Sequence, residues 1–249
     1  MKREFASSNP AARNAVFTRV GAQAGEGVMT LGGTLGKTAL LLLLTAGSAV
    51  YTWSQVATHP ERINFLLMTG ALGGFAVALL TIFVPRLAPI TAPFYAVLEG
   101  LALGGISAIY NARYAGLPVQ AVGLTLAVAL VMLALYRSGA VRATPRVRRV
   151  ITVAGLGVLA AYLTSMVMRL FTGEGLAIIS SASPLGIAFS VVVCAVAAFY
   201  LILDFDLIEE GIASGAPKRM EWYGGFMLLM TLVWLYLELL RLLSKLNRR

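Results

Sequence analysis

The sequence predicts an all-α membrane protein with about seven spanning helices, and three observations lead to that class. Of its 249 residues, 59% are hydrophobic and 12% are charged, which leaves too little polar surface to cover a water-soluble globule of this length. The apolar residues gather into runs near the ~20 residues a helix needs to cross a bilayer core. The breaks between runs are short, so a single bundle accounts for the chain and no second domain fits.

Read in order, the runs cover residues 38–57, 63–84, 92–110, 118–136, 150–171, 185–204 and 222–243. They imply a polar N-terminal tail over residues 1–37, a single membrane domain over 38–246 and a basic end at 247–249. His59-Pro60-Glu61-Arg62 and Pro85-Arg86 are the tightest breaks. The first thirty residues lack the apolar core of a cleavable leader, so the first span is expected to serve as its own insertion signal.

The formal charge of +9 comes from basic residues scattered singly or set between apolar runs, a pattern that suits an anionic membrane surface and not a nucleic-acid groove. Arg137, Arg142, Arg146, Arg148 and Arg149 crowd one linker, and Lys2, Arg3, Arg13 and Arg19 lie in the tail. Both are expected to face the cytoplasm. An odd number of spans then puts Arg241, Lys245, Arg248 and Arg249 outside, against the same rule, unless the sixth or seventh segment re-enters instead of crossing.

Enzymatic readings fail on residue supply, so no catalytic residue and no resident cofactor is assigned. His59 is the only histidine and Cys194 the only cysteine, which excludes two-histidine zinc motifs, intrachain disulfides and paired-thiol sites. Gly32 to Thr38 resembles a phosphate-binding loop, but Leu31 stands where its first glycine belongs and an apolar run follows at once. Ser107 lacks the glycine context of a serine intramembrane protease, and the two aspartates, Asp204 and Asp206, share one segment. Gly100 and Gly104 have the spacing of a close helix contact, within the bundle or between copies.

The carboxylates are more informative. Glu99, Asp204, Asp206, Glu209, Glu210, Glu221 and Glu238 lie at or near membrane depth or in the adjoining hairpin. There an isolated charge costs about 2.5–3.5 kcal/mol, so such residues face a bundle interior, a partner or water. At about 100° per residue, Asp206, Glu209 and Glu210 share one helix face while Asp204 points away with Tyr200 and Ile208. Asp204 is therefore the candidate buried, titrating carboxylate, and the other three form a rim that is solvated, holds a cation or shares protons. Glu238 has Arg241 three residues on as a local partner. Glu99 has no local cation and needs a partner from elsewhere, for which Arg86 is a candidate.

Three stretches, Phe94 to Ser107, Tyr200 to Ile208 and Leu229 to Leu243, together resemble the Bax inhibitor-1/YccA family of membrane proteins. Leu203-Asp204-Phe205-Asp206 and Gly215-Ala216-Pro217-Lys218 ahead of Glu221-Trp222-Tyr223-Gly224 resemble its bacterial branch most closely. The resemblance implies a seven-helix fold with the last helix central, a bacterial plasma membrane location and, in some relatives, a pH-sensitive calcium leak gated by two aspartates. One of these falls on Asp204. The other falls on Thr231, ten residues before Arg241, where a hydroxyl replaces the carboxylate. Asp204 and Thr231 are thus the ion-gating pair, with at most a weakly held calcium at Asp204. Asp206, Glu209, Glu210, Glu99, Glu238 and Arg86 are the supporting candidates. The implied function is a calcium or proton leak. The alternative is a non-conducting protein that binds other membrane proteins, such as a membrane protease, through small-residue faces and the tail.

Overall fold

The computed structural model describes residues 27–248. Seven long helices carry the chain: α1 Leu31–Thr58, α2 Ile63–Phe83, α3 Ala88–Arg113, α4 Leu117–Arg137, α5 Pro145–Thr172, α6 Pro184–Ala213 and α7 Met220–Leu246. All seven segments are long and apolar enough to cross a membrane. Single 3-10 turns at Pro60–Arg62 and Pro85–Leu87 and one helical turn at Ala177–Ser180 occupy the joints. Successive helices reverse direction. The start of α1, the α4–α5 linker and the α6–α7 linker therefore lie on one face, here the N face, and the end of α7 lies on the opposite C face.

Local chemistry sets the boundaries. Thr30, Thr144 and Ser183 cap α1, α5 and α6 by accepting hydrogen bonds from the amides of Gly33, Val147 and Gly186. Pro145 and Pro184 stand at the first helical position, where the missing N–H costs nothing. Gly116 and Gly173 adopt left-handed φ values of 77° and 78° at the start of α4 and the end of α5.

Several helices outrun their apolar cores. α1 begins at Leu31 and not at residue 38, so the glycine-rich stretch Gly32 to Thr38 is helix and forms no phosphate loop. α5 starts at Pro145, placing Arg146, Arg148 and Arg149 in its opening turns. α6 continues past Asp204 to Ala213, because nothing breaks it before Gly215 with its φ of 68°. Residues 1–26, which carry most of the predicted tail, and the final residue of the basic end lie outside the described residues. Both α6 and α7 are unbroken helices long and apolar enough to cross a membrane, and neither has the break that a re-entrant segment would need.

α7 is the centre of the bundle: it packs on α1, α3, α4 and α6. Of its most apolar stretch 61% is buried, against 17% for α4 and α5. Phe226 is fully buried there, with Tyr95 of α3 edge-on at 4.9 Å between ring centres. The N-terminal strap ties onto the α6–α7 linker. Met29 N donates to Ala216 O and Lys218 N to Gly27 O, both at 2.7 Å.

α3 approaches α1 and α2 at glycines. A β-carbon on Gly100 or Gly104 would collide with the Thr45 or Ala49 carbonyl of α1, and one on Gly70 would sit 2.5 Å from the Leu98 carbonyl of α3. The Gly100/Gly104 spacing thus serves a contact inside the chain. Gly104→Val is expected to destabilise the fold by about 1–3 kcal/mol, because backbone and not a flexible side chain must yield. Thermal unfolding in detergent measures this, and an unchanged transition would contradict the packing role.

Candidate functional site

Polar residues recur along the buried side of α7 at Thr231, Glu238 and Lys245, each seven residues, or about 10.5 Å, from the next. Two turns of helix return a side chain to nearly the same face, so the three form one stripe, which meets α5 and α6.

The layer nearest the N face joins α6 to α7. Asp204 is 7% exposed, and the Thr231 hydroxyl donates a hydrogen bond to it. The positions to which the resemblance gives the gating pair therefore do meet. Asp204 Oδ2, by contrast, is buried with no hydrogen-bond partner among the described residues. Leu201, Ile202, Phe205 and Ile208 are buried on the same helix, and Tyr200 and Tyr223 lie close enough to feel the aspartate's charge. An orphan carboxylate oxygen in such surroundings calls for a proton or a cation.

One turn further along α6 lies the rim. Asp206 and Glu210 both pair with Arg148 of α5, Glu210 at 2.6 Å, while Glu209 accepts from the Tyr136 hydroxyl of α4 at 2.7 Å. Asp206 and Glu210 hold an arginine from the basic linker region, an arrangement other than the solvation, cation capture or proton sharing expected of the rim. They border an open depression on the N face together with Leu31, Ile212 and Ala213. Among the described residues no three carboxylate, histidine or cysteine side chains converge to hold a metal ion. Asp204 and Thr231 by themselves fall well short of the six to eight oxygens calcium takes.

In the middle layer Glu238 is 2% exposed and fully engaged. It accepts from Tyr162 of α5 at 2.7 Å, from Trp234 at 3.3 Å and from Arg241 at 2.9 Å. Arg241 also donates to Tyr162 and lies over its ring. The local Glu238/Arg241 pair expected from spacing is present, extended by a phenol from another helix. The last layer is Lys245, 2% exposed, whose ammonium donates to Ser190 Oγ and Gly186 O at 2.8 Å and more weakly to Ile178 O. Nothing but its seven-residue spacing from Glu238 marked this lysine in the sequence.

The remaining acids separate. Glu99 has the Tyr95 hydroxyl as its polar neighbour, one turn back on α3, and lies against Gly74 of α2. The pairing of Glu99 with Arg86 does not form, because Arg86 sits in the turn before α3, roughly 20 Å away along the helix axis. Glu221, at the start of α7, is fully buried, accepting from Lys37 at 2.5 Å and from the amide and hydroxyl of Thr30 at 3.0 and 2.9 Å. It clamps α1 to α7. Lys37, placed by sequence at the membrane edge, is its counter-charge.

A family model described as Bax inhibitor 1 like matches residues 9–248, nearly the whole chain. No curated protein and no solved structure matches it.

The Glu238 layer makes a stability prediction. Glu238→Leu leaves Arg241, 31% exposed, without its carboxylate and is expected to cost about 2–3 kcal/mol, somewhat below the penalty for a wholly buried pair. Replacing Arg241 by Met as well should restore part of that loss. Thermal melts of the two single variants and the double variant measure the coupling, and strict additivity would dismiss the pair.

Proposed function

Because this chain belongs to the Bax inhibitor 1 like family, we propose that it is a cation leak across the membrane, passing protons or calcium, in which Asp204 is the gate. The single observation that carries this reading is the orphan Asp204 Oδ2 at the α6–α7 contact. Among the described residues no other fully buried side-chain oxygen on that seam lacks a hydrogen-bond partner, so this is the place where a proton or a passing cation finds an unsatisfied acceptor. Neutral Asp204 leaves the α6–α7 contact intact. Charged Asp204 strains it or draws in a cation, which makes the contact responsive to pH.

The rim acids Asp206, Glu209 and Glu210 serve as an entrance on the N face, where their charge concentrates cations and Arg148 sets how much of it is free. Asp204 with one threonine hydroxyl offers few ligands, which favours weak, rapid encounters over storage, as conduction requires. The orientation proposed with this function puts the N face in the cytoplasm, since the α4–α5 linker region there carries Arg137, Arg142, Arg146, Arg148 and Arg149.

Purified protein in liposomes, assayed for proton and calcium flux across a pH series, tests the reading. Flux is expected to depend on pH with Asp204 present. In Asp204→Asn it is expected to change several-fold and lose that dependence. Flux and pH profile unaltered by the substitution would remove Asp204 from the mechanism. Impermeable liposomes with the native chain would favour the non-conducting interaction protein instead.

A further inference from the structure

On the C face, a half-enclosed cavity of about 160 Å³ lies between the ends of α3 and α7, lined by Ile109, Tyr110, Arg113, Tyr114, Ser244 and Arg248. Its polar lining is donor-rich: two guanidiniums, two phenols and the hydroxyl of Ser244, itself 3% exposed. No carboxylate lines it. Among the described residues the Arg113 side chain makes neither a hydrogen bond nor an ion pair, and Arg248 makes one long hydrogen bond, to Ser180 O at 3.5 Å.

The charge around the cavity is unbalanced. Arg241 and Arg248 both lie close enough to Lys245 to repel its charge, and Arg113 adds a fourth cation. Among the described residues the only carboxylate in ion-pair contact with any of the four is Glu238, on Arg241. Lys245 is held by neutral acceptors alone. The carbonyl ends of α3 and α7 offset part of this excess, but they offer no planar acceptor for a guanidinium fork.

We propose that this cavity binds a phosphate-bearing anion, gripped by Arg113 and Arg248 and supplied by the headgroup of an anionic lipid. Guanidinium forks match phosphate oxygens bidentately, and the tyrosine and serine hydroxyls supply further donors. Lipid is the favoured source because the cavity lies at the ends of two spans, with Tyr110 and Tyr114 at the headgroup level where such residues gather, and with Ile109 exposed beside them.

The test uses the full chain in nanodiscs of phosphatidylglycerol or of phosphatidylcholine, with retained lipid counted by native mass spectrometry and unfolding followed by temperature. Retention of phosphatidylglycerol over phosphatidylcholine and a higher unfolding temperature are expected. Arg113→Gln and Arg248→Gln are each expected to weaken retention about tenfold, as loss of a charge-assisted hydrogen bond would. Arg62→Gln, an exposed cation elsewhere on the C face, should have no effect. Arg248 lies beyond the last residue of α7, so its variant keeps the fold even if the Arg113 variant does not. Inorganic phosphate added to phosphatidylcholine discs separates the sources. Protection that Arg248→Gln abolishes would support the site with free phosphate as its ligand. Equal retention of both lipids with no effect of phosphate, or retention insensitive to Arg248→Gln, would overturn the proposal.

Discussion

The bundle depends on one constraint: α7 carries charged and polar groups through its buried length, and in a bilayer each must find a partner inside the protein. The partners are drawn from different helices. Glu221 takes Lys37 and Thr30 at the start of α1, Thr231 takes Asp204 of α6, and Tyr236 meets Ser107 of α3 at 2.6 Å. Glu238 takes Tyr162 of α5, and Lys245 takes the opening of α6. Apolar packing alone would leave the order of helices around α7 weakly specified, since lipid tails are as apolar as leucine. The polar contacts fix which neighbour lies at which height.

Against that background the unsatisfied oxygen of Asp204 stands apart. Glu238 has phenol, indole and guanidinium donors, and Glu221 has an ammonium, a hydroxyl and an amide. In both, each carboxylate oxygen has at least one donor. Asp204 has one hydroxyl donor for two oxygens, so one acceptor stays open where Glu238 and Glu221 have none open.

Much of this was legible in the sequence because lipid leaves few options. Runs near twenty apolar residues gave seven helices, and the 100° periodicity separated buried Asp204 from Asp206, Glu209 and Glu210. Helix ends were less legible, since α1, α5 and α6 run past their apolar cores into polar residues that cap or pair outside the lipid. Long-range pairings were the least legible. Arg148 on Asp206 and Glu210, Lys37 on Glu221, and Lys245 in its cage of carbonyls join residues far apart in sequence, and no local spacing announces them. The seven-residue interval from Thr231 through Glu238 to Lys245 was the one available signal, because two helical turns bring such residues onto one buried face.

That interval also explains the conflict between span number and terminal charge. The positive-inside rule concerns cations left in loops and near the ends of spans, where they meet the membrane surface. Arg241 is neutralised by Glu238 within the bundle, and Lys245 is buried with all three ammonium protons donated. Neither acts as a loop charge. Of the cations at the end of α7 counted from sequence, Arg248 is the described one left exposed, whereas the N face keeps Arg137, Arg142, Arg146 and Arg149 exposed around the α4–α5 linker. Two of the terminal cations counted in the sequence are thus withdrawn from the membrane surface, which weakens their conflict with an odd number of spans. Arg241 and Lys245, two of the charges that opposed that topology, belong to the core that α7 organises.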